Sequence, residues 1–596
     1  MKKYSSIIMN SKYFHGAAAT QTMIQRRVRR INCVFQLPCS WTTQCISPHC
    51  TISREEAGRR AHQLRQAAEI NERKKCDGKY TFLGKDYSNH HHNNNNNDNN
   101  HNNNNNNIHM ETILSHAGLS SNQQTENETE TENKKNNQNN GHNQNQNQNE
   151  PLSPPLHLAS TYERPPDGVY GEHGRIYSRT HNPTRQSLED IMSHLEMVEG
   201  GPKNANQDAN NNNQNSKAVC AAFSSGMAAA SSLLLSLSNV PKIHVILPDD
   251  AYHGIPTALL SVLNSHRGIT HSVVDMTNVS HVQNHVHAVL RNTSSNGGNG
   301  ISNTHNFGCQ EVEDEDEDDM TIIVLWMESP SNPLCKITDI QAICSAVKEL
   351  VQEEEDDGYS KNNHHKESPH TNIPSIITVV DSTWAPPYIT QPLLLGADAV
   401  LHSGTKYIGG HSDVLLGLVT TSPLTQGGRY LGPKLKTVQS HMGSVASSLD
   451  CWLALRGLRT LHLRLRRQCR TAMDLATFLD SHPLVRKVHY PGLVDHPQHG
   501  VACHQMSCNM FGGMLSFEVE DDVRATAVAA AVYVAKRATS LGGTETLVEH
   551  RASIEPADRV TSPPGLLRVS VGLESVHDLK KDLDTALHIA HDVCSV

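Results

Sequence analysis

The segment from Leu401 to Asp413 combines one lysine with several hydroxyl side chains and glycines. It reads Leu-His-Ser-Gly-Thr-Lys-Tyr-Ile-Gly-Gly-His-Ser-Asp, with the lysine at position 406. A lysine attacks an aldehyde when its surroundings favour the neutral amine, while hydroxyls and exposed backbone N–H groups bind a phosphate dianion. The segment therefore predicts that Lys406 forms a Schiff base with pyridoxal 5'-phosphate. Taken alone, it is also compatible with a lysine that is merely a solvated surface charge.

Asp381 is the second residue that fits this chemistry. It follows the apolar run Ile376–Val380 and precedes Lys406 by 25 residues. If the run is a strand of a parallel sheet, both side chains lie at the carboxyl edge, where such folds bind ligands. A pyridoxal enzyme needs a carboxylate that keeps the ring nitrogen protonated, because the ring then accepts the charge of a carbanion. From the residues alone, it is equally possible that Asp381 only caps a turn.

Alternating strands and helices must position these residues. The apolar run Ala218–Phe223 is followed by a Ser-Ser-Gly turn and by a helical pattern over Met227–Leu237. A strand, a tight turn and a helix N-terminus in that order form an anion site. Further buried strands are predicted at Ile243–Leu247, Thr321–Trp326 and Ile376–Val380. The alternation predicts a mainly parallel α/β sheet.

The remaining patterns predict an arm before this sheet and a smaller domain after it. An amphipathic helix begins near Ser187, and long helices lie between Cys451 and Leu479. Alternating runs at Gly513–Glu518 and Leu566–Val571 predict strands of a half-solvated sheet. The predicted regions are a basic N-terminus with an Asn/His-rich disordered region (1–109), an N-terminal arm with a disordered insert (110–186), a cofactor-binding domain with acidic and Asn-rich inserts (187–435) and a C-terminal domain (436–596), so that ordered structure is expected from about Met110.

Low-complexity tracts dilute the composition and dominate the charge. Asn/His- and Asn/Gln-rich tracts at Asn89–Asn107, Gln123–Glu150 and Asn204–Asn215 predict disorder, and the His-rich tract lacks metal-ligand spacing, so we assign no metal. The net charge is -10, but two acidic runs that we interpret as loops, at Glu311–Asp319 and Glu353–Asp357, supply thirteen negative charges. The net charge of the sequence outside these two runs does not favour nucleic-acid binding. No apolar run is long enough to span a bilayer.

The first fifty residues contain no Asp or Glu and seven Lys or Arg residues. This composition is typical of a transit peptide for a mitochondrion or plastid, and equally of a basic tail on a cytoplasmic enzyme. The fourteen cysteines show no paired Cys-x-x-Cys spacing in the region expected to fold, which indicates a reducing compartment.

Five motifs occur together in a characteristic order. They are Tyr177–Thr184, Phe223–Met227, Glu328–Pro333, Leu401–Asp413 and Ser540–Glu545. In these motifs the chain resembles the cystathionine synthase and lyase family of fold-type I pyridoxal phosphate enzymes, from position 110 to the end apart from the inserts. The resemblance implies an α/β fold with a mainly parallel central sheet flanked by helices, an N-terminal arm and a smaller C-terminal domain.

The resemblance also implies a role for each motif. Lys406 would hold the cofactor and move protons between substrate carbons, with Tyr252 stacked on the ring and Asp381 paired with its nitrogen. Ser540 would position the reactive amine. Phosphate would be bound by Gly226, Met227, Ser403, Thr405 and, from a neighbouring subunit, Tyr177 and Arg179. That sharing implies a homo-oligomer, a tetramer built from dimers.

The substrate end of the site is implied in the same way. Arg568 would clamp the α-carboxylate with a bidentate fork, for which lysine is a poor substitute, and Asn332 would lie near the phenolic oxygen of the cofactor. The sequence departs from the family at three places. Thr257 stands where many relatives have an arginine that meets the distal substrate group, Thr539 where γ-specific relatives often have glutamate, and Arg551 where proline is common.

These features predict a pyridoxal phosphate-dependent carbon–sulfur lyase of trans-sulfuration that cleaves cystathionine at the β- or γ-carbon. The alternative is a cystathionine γ-synthase, which would join cysteine to an activated homoserine ester, and homocysteine or methionine γ-cleavage ranks third. A non-catalytic scaffold is a distant alternative because Asn-rich segments self-associate. The presence of Lys406, Asp381, Tyr252 and Arg568 argues against a scaffold.

Overall fold

The structure, a computed structural model, describes the parts of the chain that carry the predicted fold. The described residues are 52–76, 110–117, 152–163, 175–198, 217–267, 269–294, 321–361, 373–555 and 560–595. The basic N-terminus, the three Asn-rich tracts and the acidic run before residue 320 lie outside the described residues. The predictions made for those segments therefore stay predictions.

Helices and strands alternate along the described residues, as the hydrophobic pattern predicts. The helices are α1 (Arg54–Cys76), α2 (Met110–Ser115), α3 (Pro183–Leu195), α4 (Gly226–Leu235), α5 (Leu260–Arg267), α6 (Val279–Ser294), α7 (Ile340–Lys361), α8 (Gln426–Met442), α9 (Ser448–Leu458), α10 (Leu461–Asp480), α11 (His499–Gln505), α12 (Asp522–Ala531) and α13 (Val576–Cys594). The strands are β1 (Val219–Phe223), β2 (Lys242–Pro248), β3 (Ile269–Val274), β4 (Thr321–Glu328), β5 (Ile376–Asp381), β6 (Ala399–Ser403), β7 (Gly417–Thr421), β8 (Lys487–His489), β9 (Met514–Glu518), β10 (Lys536–Arg537), β11 (Leu547–His550) and β12 (Leu566–Ser570).

The central sheet has seven strands in the order β1-β7-β6-β5-β4-β2-β3. β7 is antiparallel to both of its neighbours, and the other pairings are parallel. β4 and β5 are almost entirely buried and apolar, which is typical of strands covered by helices on both faces. This confirms the predicted α/β fold with a mainly parallel sheet.

Two apolar clusters cover the faces of this sheet. One joins α4 and α8 to the strands through buried residues such as Leu233 and Leu435, and the other joins α6 and α7 to them through Val286 and Ile343. Packing on both faces fixes the strand ends, and with them the loops that follow β4, β5 and β6. Asn332, Thr405 and Lys406 lie in those loops, and Asp381 and Ser403 end strands β5 and β6.

A second sheet follows in the C-terminal part of the chain, with the order β10-β11-β12-β9-β8. β12 lies between β11 and β9 and is antiparallel to both. Long helices α10 and α13 pack in the same apolar cluster as this sheet, which includes Leu465, Leu583 and Phe517. This agrees with the predicted C-terminal α+β domain, but β9 and β12 are buried along almost their whole length, so the prediction of a half-solvated sheet was wrong for these strands.

Two other segments differ from the sequence prediction. Helix α1 lies within the N-terminal region that we expected to be irregular, and it packs against α12 and α13. Arg65 of α1 contacts the fully buried carboxylate of Asp582 at 2.8 Å, and that carboxylate also accepts three backbone N–H groups at Tyr533, Val534 and Ala535. The acidic run Glu353–Asp357, predicted as a loop, lies inside helix α7, because glutamates are good helix formers.

No helix among the described residues is both long and apolar enough to cross a membrane. The cysteines whose side chains the structure describes are all free.

Candidate active site

A cavity of about 260 Å³ opens at the carboxyl ends of the central strands and reaches the C-terminal domain. Of the predicted site residues, those that line it are Gly226, Met227, Tyr252, Asn332, Asp381, Ser403, Thr405, Lys406, Ser540 and Arg568. The structure thus brings together residues that are more than 300 positions apart in the sequence. Tyr177 and Arg179 do not line this cavity within the same chain.

Lys406 lies in the wall of the cavity, where the central sheet meets the C-terminal domain. Its Nζ donates a hydrogen bond to Ser540 Oγ at 2.8 Å. Burial, followed by the positive charge of Arg568, lowers the pKa of Lys406 to about 8, while the carboxylate of Glu549 opposes this shift. About one amine in ten is therefore neutral at pH 7, far more than for an ordinary lysine, and this neutral form is the one that a nucleophile and a proton acceptor require.

The loop after residue 539 approaches the lysine segment very closely. A Cβ built at Gly542, which has a φ of +76°, would lie 2.7 Å from the backbone nitrogen of Tyr407, so only glycine fits there. Ser540 itself has a φ of 103°, a conformation that is costly for a residue other than glycine. Gln468 fixes the loop by donating to the carbonyl of Gly543 at 2.7 Å. These contacts hold the Ser540 hydroxyl against the amine.

Asp381 and Glu328 end adjacent parallel strands and are paired in register. Burial raises the pKa of Asp381, although hydrogen bonds from Thr383 lower it in part, and Thr383 N donates to Asp381 Oδ1 at 3.0 Å. Burial and then the charge of Asp381 raise the pKa of Glu328 well above its usual range. Glu328 Oε2 accepts the backbone N–H of Tyr252 at 2.7 Å. Glu328 therefore fixes the backbone that carries Tyr252.

The N-terminus of α4 also lines the cavity. Ser225 caps this helix, and its hydroxyl accepts the N–H of Ala228 at 3.0 Å. The N–H groups of Gly226 and Met227 have no acceptor within the helix, as is general for a first turn, so they are available to an anion. A Cβ at Gly226 would lie 3.2 Å from the Ser403 hydroxyl, so the hydroxyl lies directly against the helix end.

Thr405 contributes less directly. Its hydroxyl accepts the N–H of Leu416 at 2.9 Å and lies 3.3 Å from the carbonyl of the same residue. The side chain therefore ties the lysine segment to the start of the next strand as well as lining the cavity.

Arg568 is buried, and three neighbours orient it. Its Nη1 donates to Asn332 Oδ1 at 3.0 Å, and its Nη2 lies 3.4 Å from the carbonyl of Ser540 and 2.6 Å from Glu549 Oε2. Burial lowers the pKa of Arg568 to about 10, so the guanidinium stays charged at neutral pH. It is a fixed, partly paired cation beside the lysine, suited to a substrate carboxylate.

Sequence reasoning missed two acidic residues at this site. Glu328 begins the motif Glu328–Pro333 and Glu549 belongs to none of the five motifs, and the predicted roles included neither residue. Glu549 faces Arg568 because the two residues are paired across strands β11 and β12. The position of Glu328 at the end of an apolar strand, like that of Asp381, was the one available signal.

Tyr252 and the residues that follow it form the rim. The Tyr252 side chain is 37% exposed, and its ring meets the ring of His253 edge-on, with centroids 5.0 Å apart. Thr257 turns away from the cavity, since its backbone N–H donates to the carbonyl of His253 at 3.1 Å and its hydroxyl donates to the same oxygen. Thr257 therefore does not replace the arginine that many relatives have there.

Tyr177 and Arg179 lie on the arm, outside the cavity. Tyr177 is 46% exposed, and the Arg179 guanidinium lies 5.9 Å from the centroid of its ring. Arg179 also donates to the carbonyl of Ser440. Their predicted contact with phosphate is not formed within one chain.

The residues of the cavity fit pyridoxal phosphate. The end of α4 and the Ser403 hydroxyl form a cradle for a phosphate, and at Gly226 a side chain would press on that hydroxyl. Asp381 is a buried carboxylate with a raised pKa, and a protonated ring nitrogen beside it would supply the cation that stabilises its charge. Lys406 supplies an amine of lowered pKa in the same cavity.

Comparison with known proteins gives consistent matches. A family model described as Cys/Met metabolism PLP-dependent enzyme matches residues 136–297 and 365–588. The chain is 35% identical over 441 residues to a cystathionine beta-lyase of Coxiella burnetii, covering 73% of this chain and 92% of that protein. It is 33% identical over 443 residues to a cystathionine gamma-lyase of Bacillus subtilis, covering 73% of this chain and 94% of that protein. A crystal structure of cystathionine gamma synthase from Xanthomonas oryzae pv. oryzae in complex with aminoacrylate and cysteine matches with a TM-score of 0.59 and 28% identity, covering 82% of this chain and 99% of that one.

Proposed function

Because the chain belongs to the Cys/Met metabolism PLP-dependent enzymes, we propose that it is a lyase that cleaves a carbon–sulfur bond of L-cystathionine. It is a pyridoxal phosphate-dependent enzyme of trans-sulfuration. The observation that carries the proposal is the cluster of Lys406, Ser540 and Arg568 in one cavity, which places an amine of lowered pKa beside a cation for the substrate carboxylate.

Pyridoxal phosphate, when bound, supplies an electron sink for the negative charge that develops on the substrate. Arg568 binds the α-carboxylate and so orients the bond from the α-carbon to its hydrogen toward Lys406. Lys406 Nζ accepts that proton, and the Ser540 hydroxyl holds the amine in line. Asp381 stabilises a positive charge on the ring nitrogen through its buried carboxylate.

The carbon that loses sulfur decides how many protons Lys406 must move. Cleavage at the β-carbon requires removal of the α-proton alone, whereas cleavage at the γ-carbon also requires removal of a proton from the β-carbon. A single amine with a pKa of about 8 serves both, because it can take up and return protons near neutral pH. Which of the two carbon–sulfur bonds of cystathionine is cleaved is therefore decided by experiment.

The test is to identify the keto acid released from L-cystathionine by the purified full chain with added pyridoxal phosphate, using mass spectrometry. Pyruvate would establish β-cleavage and 2-oxobutyrate γ-cleavage. Release of neither, together with formation of cystathionine from cysteine and an activated homoserine ester, would replace the proposal with the γ-synthase. The likeness to the Xanthomonas oryzae synthase is the observation that favours this second candidate.

We also propose that the active enzyme is a homo-oligomer, a tetramer built from dimers, in which Tyr177 and Arg179 reach the phosphate of a neighbouring subunit. Their position on the exposed arm, outside the cavity of their own chain, supports this sharing. Mixing two inactive variants, Lys406→Ala and Arg179→Ala, should restore activity, because some mixed sites contain neither substitution. A mixture as inactive as its components, or light scattering that finds a monomer, would contradict it.

A further inference from the structure

Arg551 lines the same cavity as Lys406 but has no role in the proposed reaction. Its side chain is 3% exposed, and its Nε is a buried donor without a hydrogen-bond partner. A buried arginine with an unused N–H group at a cavity wall is costly unless a ligand supplies the acceptor. Resting on the proposed lyase activity, we propose that Arg551 binds the second carboxylate of cystathionine, the one on the part that leaves as a thiol.

Glu549 sets the distance between the two arginines of the cavity. The same oxygen, Glu549 Oε2, lies 2.6 Å from Arg568 Nη2 and 3.2 Å from Arg551 Nη1. The two guanidinium nitrogens are therefore no more than 5.8 Å apart, the sum of these contacts. One carboxylate thus holds two cations side by side. A substrate with an amino-acid group at each end presents one carboxylate to each.

Arg551 keeps donors available despite its acidic neighbours. Glu555 lies 3.5 Å from Arg551 Nη2, which is long for a charged hydrogen bond. The Glu555 carboxylate is instead satisfied by the backbone N–H groups of Thr561 and Ser562 at 2.8 and 3.1 Å and by the Ser562 hydroxyl. The two glutamates therefore orient the Arg551 guanidinium and leave some of its N–H donors available.

His253 gives the distal carboxylate a second candidate donor. It lines the cavity, and its Nδ1 is buried without a partner. Burial, followed by the charge of Arg551, lowers the pKa of His253, so the ring is neutral at neutral pH and carries one N–H to donate. Of the three departures from the family, Thr257 does not line the cavity, whereas Thr539 and Arg551 do, and His253 lines it as well.

The experiment compares two substrates that differ only at the far end. One is L-cystathionine, and the other is its analogue without the distal carboxylate. That analogue is S-(3-aminopropyl)-L-cysteine if the wild type releases pyruvate, and S-(2-aminoethyl)-L-homocysteine if it releases 2-oxobutyrate. In Arg551→Gln, kcat/KM for cystathionine should fall by roughly 10- to 100-fold, mostly through KM, while kcat/KM for the analogue changes by less than about 3-fold.

Two further variants keep the test decisive. Arg551→Lys retains the buried charge and should fold even if Arg551→Gln does not. It should show a smaller loss, again for cystathionine alone, because lysine lacks the planar fork. Arg537→Gln changes an exposed arginine on β10 and should leave both substrates unaffected. Equal losses on the two substrates, or no loss on cystathionine, would overturn the assignment.

The same data separate this inference from the lyase proposal. A wild-type enzyme that cleaves cystathionine, with an Arg551→Lys variant that treats both substrates alike, would refute the role of Arg551 and leave the lyase intact. A wild type that cleaves neither substrate would overturn the lyase proposal and this assignment with it.

Discussion

Neutralising Glu549 is expected to destabilise the protein more than any comparable change at its surface. The carboxylate lies 2.6 Å from Arg568 and 3.2 Å from Arg551, and all three side chains are at most 5% exposed. Removing one partner of a buried ion pair costs about 3–5 kcal/mol, because a buried charge is left uncompensated. Glutamine keeps one acceptor oxygen, so we expect about 3 kcal/mol for Glu549→Gln, the lower end of that range.

The matched control is Glu520→Gln. Glu520 is 54% exposed and pairs with Arg486 at 3.5 Å and with Arg524 at 3.3 Å, so its ion pairs are screened by water. Exposed ion pairs contribute about 0–1 kcal/mol. The two variants make the same chemical change in different surroundings, and burial is the main difference between them.

The assay is differential scanning calorimetry of the cofactor-loaded enzyme at one protein concentration. The entropy of unfolding is about 2.1 cal/mol/K per residue, so about 3 kcal/mol in a chain of 596 residues lowers the Tm by about 2.4 °C. The control should lower it by less than about 1 °C. Equal shifts for the two variants would show that the arginines do not depend on Glu549 for charge compensation.

Three other predictions concern the reaction. Lys406→Ala should lower kcat by more than about 1000-fold with an unchanged far-UV circular dichroism spectrum, and retained turnover would exclude Lys406 as the proton acceptor. Lys406 accepts a proton only when neutral and its pKa is about 8, so kcat should rise with pH through this value and then level off. Glu549 raises the pKa of Lys406, so Glu549→Gln should move the rise of kcat to lower pH. If the rise does not move, a group other than Lys406 causes it. Asp381→Asn should reduce kcat by roughly 100-fold or more without altering the fold, because the ring nitrogen loses its anionic partner, and equilibrium dialysis of pyridoxal phosphate would separate weaker binding from slower chemistry.

The fold and the cofactor-binding part of the site were predictable because their signals are local. Lys406, its hydroxyl neighbours and its glycines are contiguous in the sequence, and Asp381 directly follows an apolar strand. In a parallel sheet the ends of such strands necessarily meet at one edge, so topology brings together what the sequence separates. The family resemblance supplied the roles, and the structure brings all of these residues except the two on the arm to one cavity.

The charge network of the site was not predictable in the same way. Glu549 and Arg568 become neighbours only through the register of β11 and β12, and a shift of one residue would turn the side chains to opposite faces. Helix α1 was missed for another reason. Its contact face consists of small residues, among them Ala57, Gly58 and Ala61, and small residues give a weak hydrophobic pattern.

The close packing of helix α1 determines where a shortened gene for this enzyme can begin. Ala57 and Ala61 are fully buried, and a Cβ on Gly58 would already lie 3.4 Å from Thr526. A version that starts at residue 110 would uncover the alanine-rich surface of α12 and leave Asp582 without its arginine. A version that starts at residue 52 retains both contacts, so a purification tag belongs upstream of that position.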